Sequence, residues 1–237
     1  MIEVKSLNKS FDDFAALQGL NLSVDKGSIY GLIGINGSGK TTLIKHLTDI
    51  LKPDSGEIYY DGQPLYDNTD IKARIAYIPD ELYFFGGYNL RSESKFYKQI
   101  YPAWNQDRYI EMVEAFGLGE LRKISRFSKG MQKQAAFILA MSSMPDFLIL
   151  DEPVDGLDPI IRKMVWNYIV NDVAERQMTV LVSSHNLREL EGLVDTIGIM
   201  HKGTVKYEHK DLDELESKGG LSALEDLFFE EMKGGKI

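Results

Sequence analysis

The chain has 237 residues, 43% hydrophobic and 27% charged, a balance ordinary for one large folded unit or one unit with an inserted lobe. Its net charge of −9 argues against a nucleic-acid-binding surface, which needs clustered Lys and Arg to meet phosphates. The absence of cysteine excludes disulfides, thiolate metal sites and thiol nucleophiles, and accords with the cytosol.

The opening run, MIEVKSLNKSFDD, lacks the apolar core of a signal peptide, so no export signal is expected there. The first part reads as short strands: IEVKSL from Ile2, GLNLSV from Gly19 and GEIYYDG from Gly56, each bounded by polar residues or glycine. Between the last two lies SIYGLIGI, from Ser28, almost continuously apolar, as a strand buried on both faces should be. Across 88–144 the pattern turns mainly helical. SESKFYKQIY and QDRYIEMVEAFGL space apolar residues three and four apart, and the second stops at Gly117. The longest apolar run, 135–144, contains two serines and is too short to span a bilayer.

DFLILDEP, from Asp146, is another short buried strand. PIIRKMVWNYIVNDVAERQ is a helix with Asp158 as N-cap and Pro159 at its first position. MTVLVSSH, from Met178, is a further buried strand, and TIGIMHKGTVKYEH, from Thr196, reads as two strands around a Lys-Gly turn. SALEDLFFEEM, from Ser222, is a short amphipathic helix. Strands and helices alternate around a helical insert, without repeats, which predicts an α/β sheet with an appended helical lobe.

GINGSGKT, at 34–41, matches the phosphate-binding pattern G-x-x-x-x-G-K-[ST] between a strand and a helix. Gly37 and Gly39 let successive N–H groups point into one concavity, and the following helix adds its positive end. Lys40 is placed for the β- and γ-phosphates, and the Thr41 hydroxyl for Mg²⁺. A glycine-rich loop that only turns the chain is the plainer explanation, but the complete pattern in strand–loop–helix context makes it a poor one. Asp151 ends the FLILD strand, where a parallel strand delivers a side chain to a ligand, and would hold Mg²⁺. Glu152 follows, placed to polarise a water attacking the γ-phosphate. A lone acidic pair there is often a solvated strand end; with the loop a hundred residues upstream it becomes a nucleotide site. Ser128, Gly130 and Gln132 stand at a second helix start, another anion-binding end, although a simple N-cap would explain Ser128 alone.

Taken together these motifs resemble the ATP-binding subunit of an ABC transporter over essentially the whole chain. FSKGM stands where that family has its L-S-G-G-Q signature, so the resemblance places Ser128, Lys129, Gly130 and Met131 against a partner's nucleotide. Asp155 to Asp158, DGLD, resembles the D-loop, with Asp158 its last residue; SSH ends at His185, which resembles the switch histidine touching the γ-phosphate. Phe11 takes the place of the adenine-stacking aromatic. Gly34, Asn36, Gly37, Ser38, Gly39, Lys40, Thr41 and Thr42 are the implied nucleotide contacts, and Glu152 and His185 the catalytic pair. Asp80 stands where the family usually has glutamine, and would ligate Mg²⁺ with Thr41 and Asp151.

The resemblance implies a P-loop NTPase core with a mostly parallel sheet, an N-terminal antiparallel β subdomain and an inserted α-helical subdomain, with 1–87 and 146–237 as core and 88–145 as insert within one domain, 1–237. It implies ATP and Mg²⁺ as cofactors and hydrolysis that powers a bacterial exporter of the bacitracin-resistance or Ytr type. The chain is expected to pair as a homodimer, or as a heterodimer with a related ATPase, and to sit at the cytoplasmic face of the membrane through integral permease subunits. The aromatic run ELYFFGGY, at 81–88, is the expected permease groove. The competing possibilities are a single-cassette ABC ATPase not coupled to transport and a small-molecule kinase. The kinase has no need of the signature and D-loop.

Overall fold

The computed structural model describes residues 1–210; the helix expected at 222–232 lies outside them. Strands β1 (Ile2–Phe11) and β2 (Phe14–Val24) form a hairpin whose two-residue turn holds Asp12 at φ 49°. Both run past the segments expected from alternation. Register shifts between Val4 and Leu7 and between Leu7 and Lys9 break the two-residue period, so the pattern ends before the strand does. β4 (Ser55–Tyr60) pairs with the other side of β1, and β5 (Gln63–Pro64) forms the edge, where a residue without an N–H is tolerated. The resulting antiparallel sheet has the order β2-β1-β4-β5.

The second sheet has six strands in the order β10-β9-β3-β8-β7-β6. They are β3 (Ile29–Ile33), β6 (Ile75–Ile78), β7 (Phe147–Asp151), β8 (Thr179–Ser184), β9 (Thr196–His201) and β10 (Thr204–His209). All run parallel except β10. Every residue of β3, β7 and β8 is buried, which is why these read as unbroken apolar runs. β6 has only four residues, too few to stand out in the sequence. Because β3 and β7 flank β8, their C-terminal ends emerge together: Ile33 is in register with Ser184, and Asp151 with Ser183.

Helices cover the sheet. Helix α1 (Lys40–Leu47) lies with the apolar cluster shared by the two sheets, where Leu43, Ile44 and Leu47 are fully buried; a short α2 (Thr69–Lys72) precedes β6. The insert contains α3 (Leu90–Ile100), α4 (Gln106–Ala115) and α5 (Lys129–Ser142). Their starts are set by side-chain caps: Asn89 accepts from Ser92 N at 2.9 Å, Asn105 from Arg108 N at 3.0 Å, and Ser128 from Met131 N at 3.2 Å. α5 is buried continuously over 134–142 and joins the insert and the parallel sheet in one apolar cluster. α6 (Pro159–Arg176) closes the other side, capped by Asp158 with Pro159 at its first turn, as expected. Its Asp172, buried, receives Arg108 Nη2 from α4 at 2.7 Å and Arg176 Nη2 at 3.1 Å, an ion triad between insert and core. Among the described residues no helix is long and apolar enough to cross a membrane.

Candidate active site

The chain leaves β3 through 34–39 and enters α1. Glycine is needed at Gly39 for its backbone, at φ 108°, and for space: a Cβ there would lie 2.8 Å from the Ala16 carbonyl oxygen. At Gly34 a Cβ would lie 2.5 Å from Ser38 Oγ and 2.7 Å from the Met200 carbonyl oxygen. The loop is tied down by Ser38 N donating to Ile35 O at 3.1 Å and by Gly203 N donating to Ser38 O at 2.9 Å. Lys40 is 6% exposed and donates to Gly34 O at 2.6 Å. Burial draws its ammonium below the ordinary lysine range, against the opposing pull of the Glu152 and Asp151 carboxylates.

Asp151, at the tip of β7, is buried and accepts from Ser183 Oγ at 2.5 Å, which fixes its side chain. Glu152 takes a left-handed backbone, φ 48°. Its Oε1 lies 3.7 Å from Lys40 Nζ, and its Oε2 accepts from the His185 main-chain N at 3.3 Å and lies 3.0 Å from His185 Nδ1. Its carbonyl oxygen accepts from Lys133 Nζ at 2.8 Å.

These groups surround a cleft of about 270 Å³. Asn36, Gly37, Gly39, Lys40, Thr41 and Thr42 line it, and Asp80, Asp151 and Glu152 complete its polar wall. Gly34 and Ser38 stand behind the loop: Gly34 N donates to Ser184 O, and Ser38 Oγ is buried. Phe11 does not line the cleft. Its ring faces Lys9 Nζ at 5.5 Å, and the aromatic on the wall is Phe14, its cross-strand partner.

The residues of 128–131 lie outside this cleft. Lys129 borders a separate cavity of about 760 Å³ with Asp80, Glu81, Lys133 and Asp155. Gly130 packs on the 155–158 turn, where a Cβ would meet the Gly156 carbonyl oxygen at 3.4 Å. Asp158 accepts from Ile160 N and Ile161 N, each at 3.1 Å, as the cap of α6. Phe14 is the alternative to Phe11 that the sequence offers for stacking; two further residues near the site, Ser183 and Lys133, carried no signal in the sequence.

Residues 17–155 match the family model described as ABC transporter. The chain belongs to this family. It is 33% identical over 92% of its length to the ABC transporter ATP-binding protein YtrB of Bacillus subtilis (strain 168), covering 74% of that protein. It is 35% identical over 88% of its length to the bacitracin transport ATP-binding protein BcrA of Bacillus licheniformis, covering 69% of it. The solved ATP-binding subunit of an ABC transporter superposes with a TM-score of 0.87 at 27% identity, covering 97% of this chain and 99% of that one. The protein is thus an ATP-binding, ATP-hydrolysing subunit of the ABC transporter family, with the expected antiparallel and mostly parallel sheets.

The donor set of this ABC ATPase suits a hard cation: oxygens from Thr41, Asp80 and Asp151. Among the described residues no group of three or more His, Asp or Glu side chains is arranged to hold a metal alone. Of the two hairpin aromatics, Phe14 is the one on the cleft wall. We expect Phe14→Ala to weaken ATP binding about 5- to 150-fold, the range for one lost base–aromatic stack, and Phe11→Ala to change it little. Titration with a fluorescent ATP analogue ranks the two; the reverse order would return the stacking role to Phe11.

Proposed function

We propose that this subunit powers a bacterial exporter as one of two cassettes that close around ATP and Mg²⁺ at the cytoplasmic face of the membrane. One observation carries the reading: the phosphate loop, Asp151 and Glu152 converge on one cleft, while Ser128 caps a helix outside it that carries Gly130 in its first turn. A helix start with its N–H groups and a serine hydroxyl is an anion site in search of a phosphate, and a second chain, identical or related, supplies one. The names of YtrB and BcrA support the transporter role, and BcrA's names bacitracin transport.

In this reading 88–145 is the helical subdomain and the remainder of 1–237 the nucleotide-binding core. Asn36, Gly37, Gly39 and Thr42 cradle the phosphates with Lys40, while Gly34 and Ser38 shape the loop. Thr41 and Asp151, with Asp80 beside them, would hold Mg²⁺, which would supply positive charge to the triphosphate. Glu152 takes a proton from the water that attacks the γ-phosphorus. The bond from that phosphorus to the bridging oxygen breaks, and ADP and phosphate result. His185, held by Glu152, meets the γ-phosphate. Lys129, Gly130, Met131 and Asp158 complete the partner-facing surface. The exposed rings of Tyr83, Phe85 and Tyr88, with Phe85 packed at 4.8 Å on Phe96, offer the apolar face that receives a permease segment.

Mixing variants tests the shared site. Ser128→Arg and Lys40→Ala chains should each be inactive alone. Mixed, each heterodimer holds one doubly damaged site and one intact site, so hydrolysis should return. No recovery, with exchange of chains verified, would mean that Ser128 serves its own chain's nucleotide.

A further inference from the structure

Lys133 lies in the second turn of α5, the helix whose first turn carries Lys129 and Gly130. Its side chain, 12% exposed, does not follow that end outward. It reaches back into its own chain's site, where Nζ donates to the Glu152 carbonyl oxygen at 2.8 Å and to Asp80 Oδ1 at 3.3 Å.

Both contacts answer a local difficulty. Glu152 holds a left-handed backbone that a residue with a Cβ adopts only where its surroundings fix it, and the ammonium fixes the carbonyl side of that residue. Asp80, Asp151 and Glu152 bring three carboxylates to a cleft meant for a polyanion, and among the described residues that line it Lys40 is the one cation. Lys133 supplies a second positive charge from behind, placed on Asp80.

We propose that Lys133 is a positioning residue for hydrolysis: it clamps the main chain of Glu152 and neutralises Asp80. It thereby ties the γ-phosphate end of one site to the helix that serves the partner's site. The inference rests on the ATP-cleft reading above, with Glu152 as the base and Asp80 near the γ-phosphate. A shift of α5 as Ser128 engages the partner's nucleotide would move Glu152 through this contact.

The test uses the full chain with Lys133→Met, Lys133→Arg, Asp80→Asn and the Lys133→Met/Asp80→Asn pair, each read two ways. In steady-state hydrolysis, Lys133→Met should lower kcat about tenfold or more with KM within about twofold, as expected when an interaction specific to the transition state is lost. Lys133→Arg should recover most of the loss. In binding of a fluorescent ATP analogue without Mg²⁺, in EDTA, Lys133→Met should weaken affinity about fivefold, because Asp80 is then unmasked beside the triphosphate. Adding Asp80→Asn should restore that affinity but not kcat, since the Glu152 clamp is still missing. Parental kcat in Lys133→Met overturns the proposal, and so does a Mg²⁺-free binding loss that Asp80→Asn leaves unrelieved. If Lys133→Met does not fold, Lys133→Gln carries the test: it keeps a neutral donor for the Glu152 carbonyl and should show the binding loss with a smaller fall in kcat. Glu152→Gln, run alongside, separates the two ideas. Parental turnover there removes Glu152 as the base on which this inference rests, whereas an inactive Glu152→Gln beside an unchanged Lys133→Met sinks only the role of Lys133.

Discussion

Replacing Glu152 by Gln is expected to leave ATP bound and to lower turnover about 10²- to 10⁴-fold, the usual contribution of a positioned general base. The substitution is close to isosteric. The His185 main-chain N–H still finds an acceptor oxygen, and the Lys133 contact is to the main chain and does not change. What goes is the proton acceptor, and with it one negative charge beside the γ-phosphate. Both changes favour a closed, ATP-loaded pair, so the variant should double in mass by light scattering with ATP and return to monomer with ADP. Normal hydrolysis would move the base elsewhere, with Asp80, Glu81 and His185 next to examine.

Lys40→Ala acts earlier, at binding. Its ammonium sits 6% exposed at the head of α1, held by the Gly34 carbonyl oxygen at 2.6 Å. A triphosphate offers the same donor far stronger acceptors. Losing two charge-assisted hydrogen bonds, each contributing about 1.5–3 kcal/mol, weakens ATP binding by about a hundredfold or more. Calorimetry of the variant with ATP should give no measurable heat at concentrations that saturate the parent. Nearly normal affinity would remove the 34–41 loop from the nucleotide site.

The parts of the site that were legible in the sequence are those fixed by local backbone. The loop at 34–41 is read from a spacing that one turn imposes, and Asp151 from its place after four apolar residues. Ser128 and Asp158 are caps, which declare themselves beside the helices they start. What stayed hidden depends on chain crossings. Ser183 meets Asp151 only because β8 lies beside β7 in register, and Lys133 meets Asp80 across 53 residues. Phe11 and Phe14 are a different case: both belong to one hairpin tip, and which ring faces the cleft is decided by the twist of that tip, not by residue type. The fold was missed where strands were short, as in β6, or where bulges interrupt alternation, as in β1.

The Arg108–Asp172–Arg176 triad bears on cooperativity as well as on shape. Removing one partner of a buried ion pair costs up to about 3–5 kcal/mol, a large share of the roughly 5–15 kcal/mol that holds a domain together. Arg108 and Asp172 meet across two helices that lie 64 residues apart in the chain. α4 therefore cannot loosen from α6 without stranding a buried carboxylate, and the helical insert and the core are tied into one melting unit.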